Sequence, residues 1–179
     1  MSQSQLPLKP YHWSELPSGA VIRESVEQAL SPWWPRIFGY YMLNLGPLSH
    51  KIDKPGVGIS KQYSLYDQPQ ASIEGDYSQL PIQNLSIDAV VMNFIIEFEA
   101  DPYRILREVD RVLISGGHLV IVGFNPLSPM FIGQMLPKHQ QEIPWNGRFF
   151  MPSRVKDWLG LLGYQVVADE RLLHHHLLT

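Results

Sequence analysis

Small and polar residues stand where apolar runs end in this sequence, and their placement is that of a ligand-binding crevice. Gly46 follows the run Met42-Leu43-Asn44-Leu45, Asp76 and Tyr77 follow Gly75, and Asn93 and Phe94 close the run that begins at Ile87. In open α/β sheets, ligands sit beyond the carboxyl ends of the strands, at the point where strand order reverses. The loops after Leu45, after about Ile73 and after Met92 are therefore expected to meet there, joined by a loop from the 59–67 region. Glycine lets a backbone come close to a ligand that any side chain would strike. Asp76 suits either a ligand donor or the cap of the turn before Leu80-Pro81. Asn93 suits a ligand contact or a strand-end cap.

Groups that break bonds are sparse. The chain has no cysteine, which removes disulfides, thiolate zinc sites and a cysteine nucleophile, and fits a reducing compartment. Glu97, Glu99 and Asp101 form an acidic cluster, but Asp101 precedes Pro102 as a helix cap would, and a glycosidase-like pair is not indicated. Asp88 reads as a strand-start residue. His174-His175-His176 cannot converge on one ion in a regular strand, because successive side chains point to alternate faces. A solvated or partner-facing tail is expected there. His50, His118 and His139 are isolated, no Ser-His-Asp arrangement is legible, and no metal site is predicted.

The elements that must position these residues are legible by period and punctuation. Ser18 is placed to cap a helix through about Leu30, with Ile22, Val26, Ala29 and Leu30 on one face, and Pro32 ends it. Residues 38–45 have the apolar, aromatic character of a buried strand. Between 46 and 73, prolines and glycines break any long helix, leaving 57–60 and 62–66 as short strand candidates. Residues 87–93 read as a central parallel strand covered on both faces. Asp101-Pro102 opens a helix with Ile105, Leu106, Val109, Val112 and Leu113 on one stripe, and Gly116 or Gly117 is the expected stop. A strand at 118–124 follows, then a helix capped by Ser153 with Val155, Trp158, Leu159 and Leu162 on one stripe, ended by Gly163. A strand over 164–168 completes the series. Alternating strand and helix with short links predicts a Rossmann-like, mostly parallel α/β sheet with helices on both faces.

Composition agrees with one soluble domain. At 179 residues, 45% hydrophobic and 17% charged, the chain is long enough for one substantial core. A net charge of −3, from 14 basic and 17 acidic residues, leaves no electrostatic footprint for nucleic acid. No apolar run approaches the ~20 residues that span a bilayer, and no secretory leader is legible at the N-terminus. A cytoplasmic location is expected.

The order Gly75-Asp76-Tyr77-Ser78-Gln79-Leu80-Pro81, Ser86-Ile87-Asp88-Ala89-Val90-Val91-Met92-Asn93, Leu106-Arg107-Glu108-Val109-Asp110-Arg111-Val112-Leu113 and Gly116-Gly117-His118-Leu119 through Asn125-Pro126 closely resembles the second half of a class I S-adenosylmethionine-dependent methyltransferase domain. The stretch Gly-Phe-Asn-Pro-Leu-Ser at 123–128 and the helix from Arg154 to Leu159 look like a small bacterial branch of type 11 methyltransferase domains in which the glycine loop is degenerate. The resemblance implies S-adenosylmethionine as cofactor, held by Gly46, Asp76, Tyr77, Asn93 and Phe94. Asp76 would accept from the adenine amino group, while Asn93 and Phe94 would face the methionine end and the reactive methyl. Asn44 stands where the family has an acid, Pro47, Leu48 and His50 where it has small residues, and Asp67 or Glu74 nearest the ribose-binding acid. Glu97 resembles a structural position of the family. No catalytic residue is identified, since methyl transfer from a sulfonium can proceed by positioning and desolvation.

The chain reads as a single domain, 1–179, with an N-terminal helical segment over 1–37. Residues 126–152, with Met130, Met135, Trp145, Phe149 and Phe150, form a lid or acceptor-side insertion over a small-molecule acceptor of apolar or aromatic character. The strand that closes the family's sheet is expected to be missing or truncated, so that either the 164–168 strand is an open edge prone to homodimer pairing or the chain is a fragment of a longer protein. The competing reading is a non-catalytic module that keeps the fold without the cofactor. A nicotinamide-dependent reductase is disfavoured, because no Gly-x-Gly-x-x-Gly follows the first strand.

Overall fold

Two strands buried on both faces organise the molecule. The computed structural model describes residues 8–128 and 141–172. Strand β1 (Tyr41–Leu45) lies between β2 (Lys61–Tyr66) and β4 (Ile87–Asn93), and the sheet runs β3-β2-β1-β4-β5, with β3 at Ile73–Glu74 and β5 at Leu113–Val122. Every pairing is parallel. Strand order therefore reverses between β1 and β4, which is where the crevice was expected.

Side chains of β1 and β4 alternate between two cores. Leu43, Leu45, Val90 and Met92 pack on one face with Ile105, Leu106, Val109 and Val112 of helix α3 (Pro102–Val112). Val155, Trp158 and Leu159 of α4 (Pro152–Leu161) lie against the same face. Met42, Ala89 and Val91 face the other way, onto Ile22 and Val26 of α1 (Gly19–Leu30) and Leu48 of the short α2 (Pro47–His50). Helices thus cover both faces, as the apolar β4 run implied. Asp101 caps α3 through Oδ1, 3.1 Å from the Arg104 N–H, with Pro102 at the first helical position.

Several expected boundaries are corrected. The first strand begins at Tyr41 rather than Phe38, because Asp88 Oδ2 accepts both the Tyr40 and Tyr41 N–H at 2.9 Å and pins the chain entering β1. Residues 57–60 form no strand. Ser18 sits at the N-cap of α1, but at φ 51 its side chain makes no capping bond. Gly116 does not stop α3, which ends at Val112 and passes directly into β5. Instead Gly116, at φ 77, lies in a register irregularity where the pairing passes from Ile87–Leu113 to Ala89–His118. Met151, not Ser153, precedes the last helix, whose first residue is Pro152. Residues 164–168 form no strand, and Val167 is 77% exposed. The sheet edge is therefore β5, which pairs only with β4 among the described residues.

Two polar devices hold the loops around this frame. Arg111 grips Glu108 through both carboxylate oxygens at 2.9 Å and reaches the carbonyls of Ile82 and Leu80 at 2.8 Å, while Glu108 Oε2 accepts the Leu80 N–H. The loop after Tyr77 is thereby tied to α3. Glu97 is fully buried in the turn after β4, with Oε1 accepting the Phe124 N–H at 2.8 Å and Oε2 lacking a hydrogen-bond partner. A Cβ on Gly123 would come 2.5 Å from Glu97 Oε1, so the chain leaving β5 requires glycine there. Burial pushes the Glu97 carboxyl up to about 7, against the hydrogen bond from Phe124.

Arg111→Lys is expected to lower stability by about 2 kcal/mol in urea unfolding, because an ammonium cannot reproduce the bidentate fork. A midpoint equal to the parent's would mean that the guanidinium network is dispensable. For Glu97, the folded value lies above the ordinary carboxyl value of 4.5, so the unfolded chain ionises first as pH rises. Its contribution to stability is then greatest below pH 4.5 and falls, by at most about 3 kcal/mol, between there and about pH 7. Glu97→Gln should flatten that part of the stability–pH curve; parallel curves for the two proteins would refute the assignment.

Candidate functional site

The crevice opens at the carboxyl ends of β1 and β4. Gly46, Pro47 and Leu48 form one wall, Asn93, Phe94 and Ile95 another, and Tyr77, Phe98 and Glu99 complete it below Lys9, Pro10 and Tyr11. Four of the five residues expected to hold the cofactor therefore line one space: Gly46, Tyr77, Asn93 and Phe94. Asp76 does not line it.

Gly46 is where the backbone must turn sharply. It has φ 82, its N–H donates to the Leu65 carbonyl at 2.9 Å, and a Cβ would meet Ile95 Cδ1 at 2.8 Å and Tyr77 Oη at 3.2 Å. Pro47 does no harm as the first residue of α2, where its missing N–H would have had no helical partner. Leu48 turns into the core on the α1 side and is 2% exposed. The departures from a glycine-rich loop thus build a helical turn docked on β4. Ser49 completes the docking, its Oγ accepting the Asn93 N–H at 2.8 Å.

Asn93 is buried at the end of β4. Its Nδ2 donates to the Leu48 carbonyl at 3.3 Å, while Oδ1 has no hydrogen-bond partner. A buried, unsatisfied acceptor on a crevice wall is costly unless a ligand donor reaches it. Asn44, at the position of the family's acid, is also buried with an unpartnered Oδ1. Phe94 has φ 53, a conformation rare for a phenylalanine, and its ring stacks on Phe124 at 4.3 Å and meets Trp13 edge-on at 5.8 Å. Phe149 packs edge-on against Phe124 at 6.0 Å. A row of rings thus leads from the crevice towards the described part of the 126–152 segment.

Asp76 is exposed and caps its own turn. Oδ1 accepts the Ser78 N–H at 2.7 Å and the Ser78 hydroxyl at 2.8 Å. Asp67 stands directly after β2, where the ribose-binding acid was sought; Glu74, at the end of β3, is exposed. Asp67 Oδ2 lies 2.9 Å from Lys9 Nζ, and Oδ1 accepts the Tyr11 hydroxyl at 2.8 Å. Lys9 also pairs with Glu99 at 3.3 Å and lies 5.2 Å from the centre of the Tyr77 ring. Burial raises the Asp67 carboxyl, but the bonds from Lys9 and Tyr11 outweigh it and leave the group below its ordinary value. Burial lowers the Lys9 ammonium, and Asp67 and Glu99 more than restore it. Tyr77, 4% exposed, is pushed well above its ordinary value by burial and stays a neutral phenol.

Lys9, Tyr11 and Ser49 carried no legible functional signal in the sequence, and Glu99 stood out only as a member of the acidic cluster. Lys9 and Tyr11 sit in a polar stretch without period, and they meet Asp67 across more than fifty positions of chain. The acidic cluster does not converge: Glu97 points to the end of β5, Glu99 meets Lys9, and Asp101 caps α3. No three His, Asp or Glu side chains among the described residues could hold a metal ion. Met130, Met135, His139 and His174 to His176 lie outside the described residues. Among those residues no helix is long and apolar enough to cross a membrane.

The cofactor that the resemblance implies can be tested against these residues. Gly46 and the unpartnered Asn93 Oδ1 fit it in type and place; Asp67 fits in type but does not line the crevice, meeting instead Lys9 and Tyr11 of its lining. The space does not suffice with residues 9–11 and Tyr77 as they stand. The enclosed cavity amounts to only ≈10 Å³, whereas small-molecule sites run to ~300–1,000 Å³.

Comparison with known proteins agrees with this fold. The family model of a methyltransferase domain matches residues 52–121. YafS of Escherichia coli strain K12, itself uncharacterized, is 35% identical over 168 residues, covering 93% of this chain and 70% of YafS. A demethylmenaquinone methyltransferase of Chlamydia pneumoniae is 31% identical over 96 residues, 50% of this chain and 40% of that enzyme. Among solved structures, a SAM-dependent methyltransferase from Aquifex aeolicus superposes with a TM-score of 0.61 at 14% identity, over 90% of this chain and 91% of that one. A Haloferax volcanii protein solved in complex with the Trm112 methyltransferase activator gives 0.62 at 18%, over 82% and 71%. The parallel sheet reversing between β1 and β4, the turn at Gly46 and these relatives together show that the chain belongs to the class I S-adenosylmethionine-dependent methyltransferase-domain family.

Proposed function

We propose that this domain binds S-adenosylmethionine in the β1–β4 crevice and methylates a small molecule with an apolar or aromatic face, in the cytoplasm. The observation that carries the reading is Asn93 Oδ1, a buried acceptor without a partner at the switch point, beside the one glycine the turn retains. Gly46 would bring the backbone close to the ligand, Asn93 would accept from the methionine amino group, and Asp67 would accept from the ribose hydroxyls. Asp76 would contribute by fixing the turn that places Tyr77, since its Oδ1 is committed to Ser78. The cofactor supplies an activated methyl on a sulfonium, so the protein's part is alignment and exclusion of water. Phe94, Phe124 and Phe149 present the apolar wall on which an acceptor would lie.

One observation favours a second reading, a binding module that has kept the fold and lost the cofactor: the narrow crevice, with Tyr77 and Lys9 filling it. Calorimetric titration with S-adenosylhomocysteine separates the two. Measurable binding is expected, weakened at least about tenfold in Asn93→Ala per folded molecule, as loss of one desolvated polar contact implies. Absence of heat at millimolar ligand would decide for the module, whereas binding of equal strength in Asn93→Ala would overturn the role of Asn93 in holding the cofactor.

A further inference from the structure

We propose that residues 9–11 are an internal strap that occupies the ribose-binding end of the crevice, so that the cofactor and the strap exclude one another. This inference rests on the cofactor reading above and adds its regulation. Its basis is the way Asp67 is satisfied. The two carboxylate oxygens each take a different donor from the strap, the Tyr11 hydroxyl on Oδ1 at 2.8 Å and the Lys9 ammonium on Oδ2 at 2.9 Å. Two neighbouring donors on one carboxylate are what the vicinal hydroxyls of a ribose would present. The strap therefore satisfies Asp67 in the ligand's place.

The same segment closes the space above. Lys9 lies against the Tyr77 ring and Glu99, and both residues line the crevice. The strap is anchored on either side of these contacts. Asn146 Nδ2 donates to the Leu8 carbonyl at 2.7 Å, the Tyr11 N–H donates to Glu15 Oε2 at 2.9 Å, and Trp13 is buried against Phe94. Release of residues 9–11 thus needs no change in the sheet. The contacts are also weak enough to exchange: the Lys9 and Asp67 side chains are 26% and 46% exposed, where ion pairs contribute little. A ligand that binds only the open form loses affinity by the fraction of molecules that are open.

The test uses the full chain and the double variant Lys9→Ser/Tyr11→Phe, titrated with S-adenosylhomocysteine while amide hydrogen exchange is followed over residues 9–16. The variant is expected to bind at least about tenfold more tightly, about 1.4 kcal/mol. Its segment should exchange faster than the parent's, and ligand should speed exchange in the parent. Binding of equal strength in both proteins would overturn the strap and leave the cofactor site intact. Unchanged exchange in the variant would show that Lys9 and Tyr11 do not hold the segment, and overturns the strap equally. No binding by either protein, with the segment demonstrably loosened, would overturn the cofactor reading and the strap's role with it.

Discussion

Parallel pairing of β1 with β4 is the constraint from which the rest of the structure follows. Both strands are buried on two faces, so a slip of one position would exchange the side chains offered to α3 for those offered to α1. That register, Met42 with Ala89 through Leu45 with Met92, sets the two chain exits side by side. Gly46 leaves one strand and Asn93 ends the other. The site is therefore fixed by core packing, and its polar residues need little flexibility to meet. Ser49 strengthens the arrangement by tying the first turn of α2 to the backbone of Asn93.

This constraint explains why an eroded glycine loop is compatible with an intact fold. In this chain the turn after β1 needs one residue at positive φ, and Gly46 supplies it. Beyond it, Pro47 and Leu48 exchange close backbone approach for a helical turn with a buried leucine. The substitution strengthens the core on the α1 side and narrows the crevice in the same step. Stability and ligand space compete here through the same two residues, which is a direct form of the trade-off between packing and function.

Legibility from sequence tracked how local the determinants are. β4 and α3 were readable because a continuous apolar run, an Asp-Pro cap and a stripe at helical spacing are written within a dozen positions. The fold followed from their order. The boundaries that failed depended on partners elsewhere: Asp88 fixing the start of β1, the irregularity at Gly116 displacing the supposed helix stop, and residues 164–168 lacking a strand neighbour despite β-branched residues. Gly46, Asn93 and Phe94 could be placed at the crevice because each borders an apolar run, and Tyr77 through the resemblance of the Gly75-Asp76-Tyr77 loop. Asp76 was assigned a ligand role that its own turn largely absorbs through Ser78. Lys9 and Tyr11 were invisible, since nothing in a polar N-terminal stretch announces a contact with the end of β2.

The difference between these two kinds of contact bears on how the domain would work. The walls of the crevice are held by buried strands and by hydrogen bonds such as Asn93 N–H to Ser49 Oγ, which open only with the core. Its roof is held by partly exposed polar groups on one short segment, where solvent competes for the Lys9 and Tyr11 contacts to Asp67. A rigid floor with a weakly held cover lets ligand entry be governed by local release rather than by rearrangement of the sheet. Because Lys9 serves Asp67 and Glu99 together, losing one contact weakens the hold on the other, and release would be concerted over a few residues. The same economy makes the closed form a poor guide to the space available when open, because Lys9 and Tyr11, which line the crevice, are held there by contacts to Asp67 and Glu99 rather than by the sheet.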